Sequence, residues 1–326
     1  LYDNPAIHQR VQHLQHLLHR YQAGKLQRLL DTVRPQVIVC TQAYPCGVVA
    51  DFKKHHGLRI PLVGVLTDYA PHLYWFHDTV DIYVVPSESV KQRFITRGVA
   101  ADRVKVLGIP IDLQFLQPSD RNATAREFGL DLVAPVILIM GGGGGFGQLR
   151  DMVMSLDGLP HGCQLLVLTG TNRPLLAWLH RQRFRHRVVA LGYTQDVSKL
   201  MDLATLLVSK PGGLTTSEAL AKGVPLVIVN PIPGQEAYNA RFLLSQGAAV
   251  QASSAATVRQ TVRDLFDNPE QLETLRRRSA ELAHPNAALD IASLLIKLAD
   301  RYAAVSPQAF PSPPRTSAAG AAPSGA

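Results

Sequence analysis

The chain has 326 residues, 46% of them hydrophobic and 18% charged, with a formal net charge of +8 and a pI near 9.5. That length allows two globular domains with separate cores, and the apolar content excludes a wholly disordered chain. No run approaches the roughly 18 consecutive apolar residues that cross a bilayer, no secretory pattern opens the chain, and the positive balance favours an anionic partner.

In chain order, the first element is a helix in which Ile7, Val11, Leu14, Leu17, Leu18 and Tyr21 repeat at helical spacing, with His8, His13, His16 and His19 between them. Histidines without acidic or cysteine co-ligands, and without H-E-x-x-H, make a solvated face and no metal site. Apolar runs then alternate with helical patterns. Candidate strands are Gln36 to Cys40, Leu62 to Leu66, Ile82 to Val85, Val104 to Leu107, Val136 to Met140, Gln164 to Leu168, Val188 to Leu191, Thr205 to Val208, Leu226 to Val229 and one near Val250. This alternation predicts α/β with parallel sheets. The polar stretch near Gln117 to Arg121 divides it into residues 1–118 and 119–302, the latter ending in the amphipathic helix "NAALDIASLLIKLADRY". Residues 303–326 are Pro/Ser/Ala/Gly-rich and expected to be a disordered tail. With four strands against six and no initial methionine, the first lobe reads as incomplete.

Cys40, Cys46 and Cys163 are odd in number and lack metal-ligand spacing, as expected of a reducing, cytoplasmic protein. The basic run "HRQRFRHR" reads as a solvated helix end. Aromatic residues, 6% of the chain, do not interleave with basic positions, so no nucleic acid is expected as partner.

The chemistry gathers at two glycine clusters. In "PVILIMGGGGGFGQLRDM" the glycines follow a strand and precede a helix, where bare backbone and a helix N-terminus suit a phosphate. No carboxylate ends the next strand, "LTGTN", which disfavours NAD, and no G-K-[ST] closes the loop, which disfavours ATP hydrolysis. The second cluster follows the strand ending at Val208: Pro211, Gly212 and Gly213 turn into a helix predicted to open at Thr215 or Thr216. Glu218 has two readings, a capping box with Thr215 or a ligand contact. Gln235 and Glu236 suit sugar hydroxyls, and Glu236 equally suits the first turn of its own helix.

"KPGGLTTSEALAKGVPLVIVNPIPGQEAYNARFL", with "MGGGGGFG", "VLTDYAPHLYWFHDTVDIYVVPSESVKQRFITRGV" and "VKVLGIPID", resembles the diacylglycerol glycosyltransferases over roughly residues 25 to 300. That family includes monogalactosyldiacylglycerol synthases and bacterial processive glucosyl enzymes, and is related to the peptidoglycan N-acetylglucosaminyltransferase. The resemblance implies a GT-B fold, two doubly wound Rossmann-like lobes with a cleft between them: an acceptor lobe to residue 118, then a donor lobe. It implies that Gly142, Gly143, Gly144, Gly145, Gly212 and Gly213 surround the diphosphate of UDP-glucose or UDP-galactose. Glu218 beside Thr215 would hold the ribose, Tyr193 in "GYTQDV" would face uracil, and Gln235 and Glu236 would hold the sugar. Asp68, His72, Trp75 and His77 would face the acceptor and the membrane, although Trp75 equally fits core packing.

No D-x-D occurs, so no metal-binding carboxylate pair is expected. The resemblance then implies an inverting displacement without metal or cofactor, on diacylglycerol at the anionic inner face of the cell membrane. The resemblance also implies an N-terminal glycine-rich loop whose histidine is the base or its partner; residues 1–326 do not contain it, which leaves Asp68 and His72 as the acid/base candidates within this sequence. The alternatives are a polyprenyl-linked acceptor, a sugar-nucleotide epimerase, or a UDP-sugar-binding protein without catalysis.

Overall fold

Short Val, Ile and Leu runs bounded by turn residues suit strands covered on both faces. The computed structural model describes residues 23–145 and 148–305. Among them β1 (Ile38–Cys40), β2 (Leu62–Val65), β3 (Ile82–Val85) and β4 (Val104–Val106) form a parallel sheet in that order. A second parallel sheet holds β5 (Val136–Met140), β6 (Gln164–Leu168), β7 (Arg187–Leu191), β8 (Leu206–Ser209), β9 (Leu226–Val229) and β10 (Ala249–Ala252), ordered β10-β9-β8-β5-β6-β7. The helices are α1 (residues 23–33), α2 (Ala43–His56), α3 (Glu88–Thr96), α4 (Arg121–Phe128), α5 (Leu149–Leu156) and α6 (Arg173–Arg181). They continue with α7 (Val197–Leu203), α8 (Gly213–Ala221), α9 (Gln235–Ser245), α10 (Ala255–Asp267), α11 (Pro269–Leu282) and α12 (Ala287–Val305).

Alternating residues of the second sheet enter separate cores, Leu138, Leu166, Leu207 and Ile228 on one face and Ile137, Leu165, Leu206 and Val227 on the other. Its order reverses between β5 and β8, where the chain leaves neighbouring strands in opposite directions and opens a crevice at their C-terminal ends. Met140 is in register with both Ser209 and Leu168, so the segments leaving β5, β6 and β8 emerge along one edge. The first sheet runs in one direction without such a reversal among the described residues.

The final helix corrects the sequence-based division. α12, expected in the second lobe, packs on the first: Ile291 is buried against Val63, Val65 and Val84, with Leu294, Leu295 and Leu298 alongside. Tyr302 reaches the cluster of Leu30, Phe52, Leu58 and Ile60. Without α12 that face of the first sheet would expose three valines, and the helix's apolar stripe covers them. The returning chain crosses the outgoing linker at Gly108, where a Cβ would lie 2.2 Å from His284 Cβ. α12 also runs through Ala303–Val305, which the predicted tail had claimed. The rest of that tail and the predicted helix over Ile7 to Tyr21 lie outside the described residues.

The linker is tied to the second lobe. Ser119 N–H donates to Asp202 at 2.9 Å, and the Lys222 ammonium donates to the Gln117 carbonyl at 2.8 Å. Lys222 also pairs with Asp202 at 2.9 Å, both side chains largely buried.

Candidate active site between the lobes

The crevice glycines divide by task. Gly142 and Gly145 are left-handed, at φ 71° and 59°, and the Gly145 N–H closes the turn onto the Gly142 carbonyl at 3.0 Å. A Cβ on Gly145 would lie 2.0 Å from the Thr169 carbonyl oxygen, and one on Gly170 2.2 Å from that of Gly143. These two glycines let the loops after β5 and β6 nest. Asn172 then holds the nest: its Nδ2 donates to the Gly145 carbonyl at 3.2 Å while its Oδ1 caps α6 through Leu175 N–H. A Cβ on Gly142 or Gly143 would touch nothing within 4 Å, so this part of the turn offers bare backbone.

Across the reversal, α8 begins at Gly213 with Gly212 as its N-cap and no side-chain cap. The helix therefore opens two residues before Thr215, and the capping box predicted for Thr215 and Glu218 does not form. Its start is fixed from outside: a Cβ on Gly213 would lie 1.8 Å from the Thr67 carbonyl oxygen and 3.2 Å from Asp68 Oδ1. Glu218, released from capping, is half-buried on the second turn of α8. Burial, reinforced by the nearby Asp112 carboxylate, pushes its carboxyl up to about 7. Gly213→Ala should force the lobes apart and cost about 2 to 3 kcal/mol in chemical denaturation; an unchanged unfolding midpoint would mean that Thr67 and α8 separate freely.

Asp68 and Tyr69, at the C-terminal end of β2, form the seam with α8 and α9. Asn239 on α9 is fully buried and makes three hydrogen bonds, two to these residues and one to the turn before α8. Its Oδ1 accepts from Tyr69 N–H at 2.8 Å, and its Nδ2 donates to Asp68 Oδ1 at 2.9 Å and to the Pro211 carbonyl at 3.0 Å. The Tyr69 ring stacks on Phe242 at 4.4 Å, and its hydroxyl lies 3.3 Å from Ser217 Oγ. Burial raises the Asp68 carboxyl above the usual range; the Asn239 bond lowers it and the charge of Glu236 raises it. Asp68 thus stands beside the crevice as a carboxyl shifted toward neutral pH, the direction that suits a general base.

The other predicted residues are distributed unevenly. Glu236 lies in the first turn of α9 and its Oε2 accepts from Ile232 N–H at 2.8 Å, binding its own loop. Gln235 is exposed at the start of α9, and Thr215 is half-buried on the first turn of α8. Tyr193 follows β7 along the same edge and is 71% exposed. His72 caps a short 3-10 turn, Leu73–Trp75, its Nδ1 accepting from Tyr74 N–H at 3.3 Å. Trp75 is a correction: it is 5% exposed, packed in the first-lobe core with Tyr83, whose hydroxyl donates to the Trp75 carbonyl at 2.6 Å. Gly64 on β2 makes room for the indole, since a Cβ there would lie 3.3 Å from Trp75 Cζ3. His77 is likewise held internally, Nε2 at 2.8 Å from the Tyr74 carbonyl oxygen.

Asn239, Asn172 and Asn230 escaped the sequence-based site. Asn230 ends β9 with φ at 41°, a strained setting for a non-glycine residue beside the crevice. Its only sequence signal is asparagine's tolerance of the left-handed region.

Comparison with known proteins gives the arrangement a family. The monogalactosyldiacylglycerol synthase family model matches residues 2–111, and that of the glycosyltransferase family 28 C-terminal domain matches residues 136–291. The processive diacylglycerol beta-glucosyltransferase of Bacillus pumilus is 32% identical over 270 residues, 81% of this chain and 70% of that protein. The chain belongs to the diacylglycerol glycosyltransferase family. The Staphylococcus carnosus enzyme of the same name is also 32% identical, over 80% of this chain and 67% of its own. Among solved structures, MurG of Acinetobacter baumannii superposes with a TM-score of 0.60 at 18% identity, covering 84% of this chain and 77% of MurG. HepE of Anabaena in complex with UDP-glucose gives 0.55 at 17%, covering 86% and 82%. These likenesses establish the GT-B fold of this diacylglycerol glycosyltransferase family member.

Proposed function

We propose that the chain transfers a hexose from UDP-glucose or UDP-galactose to diacylglycerol, with inversion at the anomeric carbon and without a metal or cofactor. The observation that carries the reading is the convergence of Gly142, Gly143, Gly212, Glu218 and Asp68 at the strand-order reversal, in a chain 32% identical to a diacylglycerol glucosyltransferase. In this reading the diphosphate lies on the bare amides of Gly142 and Gly143 and against the N-terminal ends of α5 and α8, whose partial charges offset the charge of departing UDP. Glu218 accepts from the ribose hydroxyls, Tyr193 flanks uracil, and Gln235 with Glu236 orients the hexose. Asp68 takes the proton of the acceptor hydroxyl; that oxygen bonds to the anomeric carbon as the bond to the UDP oxygen breaks and UDP leaves with the electron pair. Among the described residues no helix is long and apolar enough to cross a membrane, and the reading places the protein peripherally on the inner face of the cell membrane, where the acceptor resides.

The test is incubation with each UDP-hexose and diacylglycerol vesicles in the presence of a chelator, with the linkage of the product read by proton NMR. A β-linked glycolipid is expected from an α-linked donor. An α-linked product, or transfer abolished by the chelator, would overturn the mechanism.

A further inference from the structure

Glycine has no side chain to favour one conformation, so a run of glycines cannot by itself hold its amides in a fixed direction. The turn after β5 is held instead from the loop after β6. Thr171 N–H donates to the Gly143 carbonyl at 3.0 Å, and Asn172 Nδ2 donates to the Gly145 carbonyl at 3.2 Å. A trans peptide points its N–H opposite its carbonyl, so the first bond turns the Gly144 N–H away from the β6 loop. In the strand order β8-β5-β6 that direction is toward β8 and the opening of α8. The second bond keeps the Gly145 carbonyl on the β6 side, where its oxygen does not oppose an anion in the crevice.

Asn172 is half-buried and uses both ends of its amide. Its Oδ1 accepts from Leu175 N–H at 3.1 Å as the N-cap of α6, and α6 is itself anchored in the core of the second lobe through Leu179. Its own N–H donates to the carbonyl of the fully buried Thr169 at 3.0 Å. The mobile glycines are thereby tied to a packed helix and a buried strand end. Capping alone does not call for asparagine, since serine caps a helix about as well. A serine hydroxyl ends one atom short of the Nδ2 position, so only the bond to Gly145 needs the amide. We propose that Asn172 is a positioning residue for the donor diphosphate, fixing the direction of the glycine-turn amides without touching the donor. The inference rests on the reading of the crevice as a UDP-hexose site. It goes beyond that reading by naming the group that preorganises the turn, and by assigning its effect to the diphosphate and not to the nucleoside.

Asn172→Ser and Asn172→Ala test it on the full chain. The serine variant keeps the cap and should unfold in urea at the parent's midpoint, whereas the alanine variant loses the cap and should unfold earlier. Both should bind UDP about tenfold more weakly in calorimetry. Uridine, titrated by NMR, should bind both within about twofold of the parent, because it carries no phosphate to meet the turn. In transfer assays kcat/KM for the UDP-hexose should fall while KM for diacylglycerol stays. A serine variant that binds UDP as the parent does would reduce Asn172 to a helix cap and overturn the proposal. So would equal losses of UDP and uridine, which would mean a disturbance of the whole lobe. Failure of the parent itself to bind UDP would instead overturn the proposed function, an outcome read before any variant is made.

Discussion

Glu218→Gln is expected to stabilise the free chain above pH 7 by about 3 kcal/mol while weakening its grip on UDP about tenfold. The native carboxyl titrates at about 7 against an ordinary 4.5. Below 4.5 both folded and unfolded states hold the proton and the group costs nothing. Between 4.5 and 7 the unfolded chain releases it while the folded chain keeps it, so stability falls as pH rises, and the loss is complete above the folded value. A rise from 4.5 to about 7 corresponds to about 3 kcal/mol. Glutamine never ionises, so the variant's stability should be flatter over this window in urea denaturation at stepped pH. Binding carries the opposite sign. Ribose hydroxyls donate more strongly to a carboxylate than to an amide, so parent affinity should rise through pH 7 and UDP binding below it should release a proton, visible as a buffer-dependent calorimetric enthalpy. A variant destabilised at every pH would show Glu218 to be a structural group and remove it from the donor site.

Local rules made the strands legible because a run such as Val136–Met140 has one use, a buried parallel strand, and the structure shifts the predicted ends by at most two residues. The opening of α8 was illegible because cap chemistry pointed to Thr215 while the Thr67 carbonyl, in the other lobe, sets the close approach that only Gly213 permits. The stripe of α12 announced that the helix packs without saying on what; Val63, Val65 and Val84 lie more than 200 residues away in sequence. Trp75 was open between core and cleft for the same reason, since its decisive neighbour is the missing Cβ of Gly64 on another element. Asn239 did leave a trace. It shares the inward spacing of Ala240 and Leu243 on α9, where a poor helix former at a core position implies a buried amide with specific partners.

That amide supports the second large effect. Asn239→Ala should cost about 3 to 5 kcal/mol at all pH values, because it strands the Tyr69 N–H, the Pro211 carbonyl and one oxygen of Asp68 in a buried seam. Asn239→Asp keeps the shape but puts a second carboxyl 2.9 Å from Asp68 Oδ1, where two carboxylates cannot both ionise. One must hold a proton in the folded state and neither needs to in the unfolded state, so its folded titration is raised and the stability lost grows as pH rises. The aspartate variant should therefore resemble the alanine variant above neutral pH and recover part of the loss in acid, where a protonated carboxyl again donates across the gap. Since the three bonds join Asp68 and Tyr69 to α9 and to the turn before α8, hydrogen exchange should quicken at Tyr69 and at the start of α8 while β5 and β6 stay protected. Uniform loss of protection over both sheets would mean that the lobes unfold as one unit and that Asn239 contributes only general core stability. Exchange confined to the seam would identify the amide as the tie that holds Asp68 against the donor crevice, and UDP affinity should then fall without any change in the residues that touch UDP.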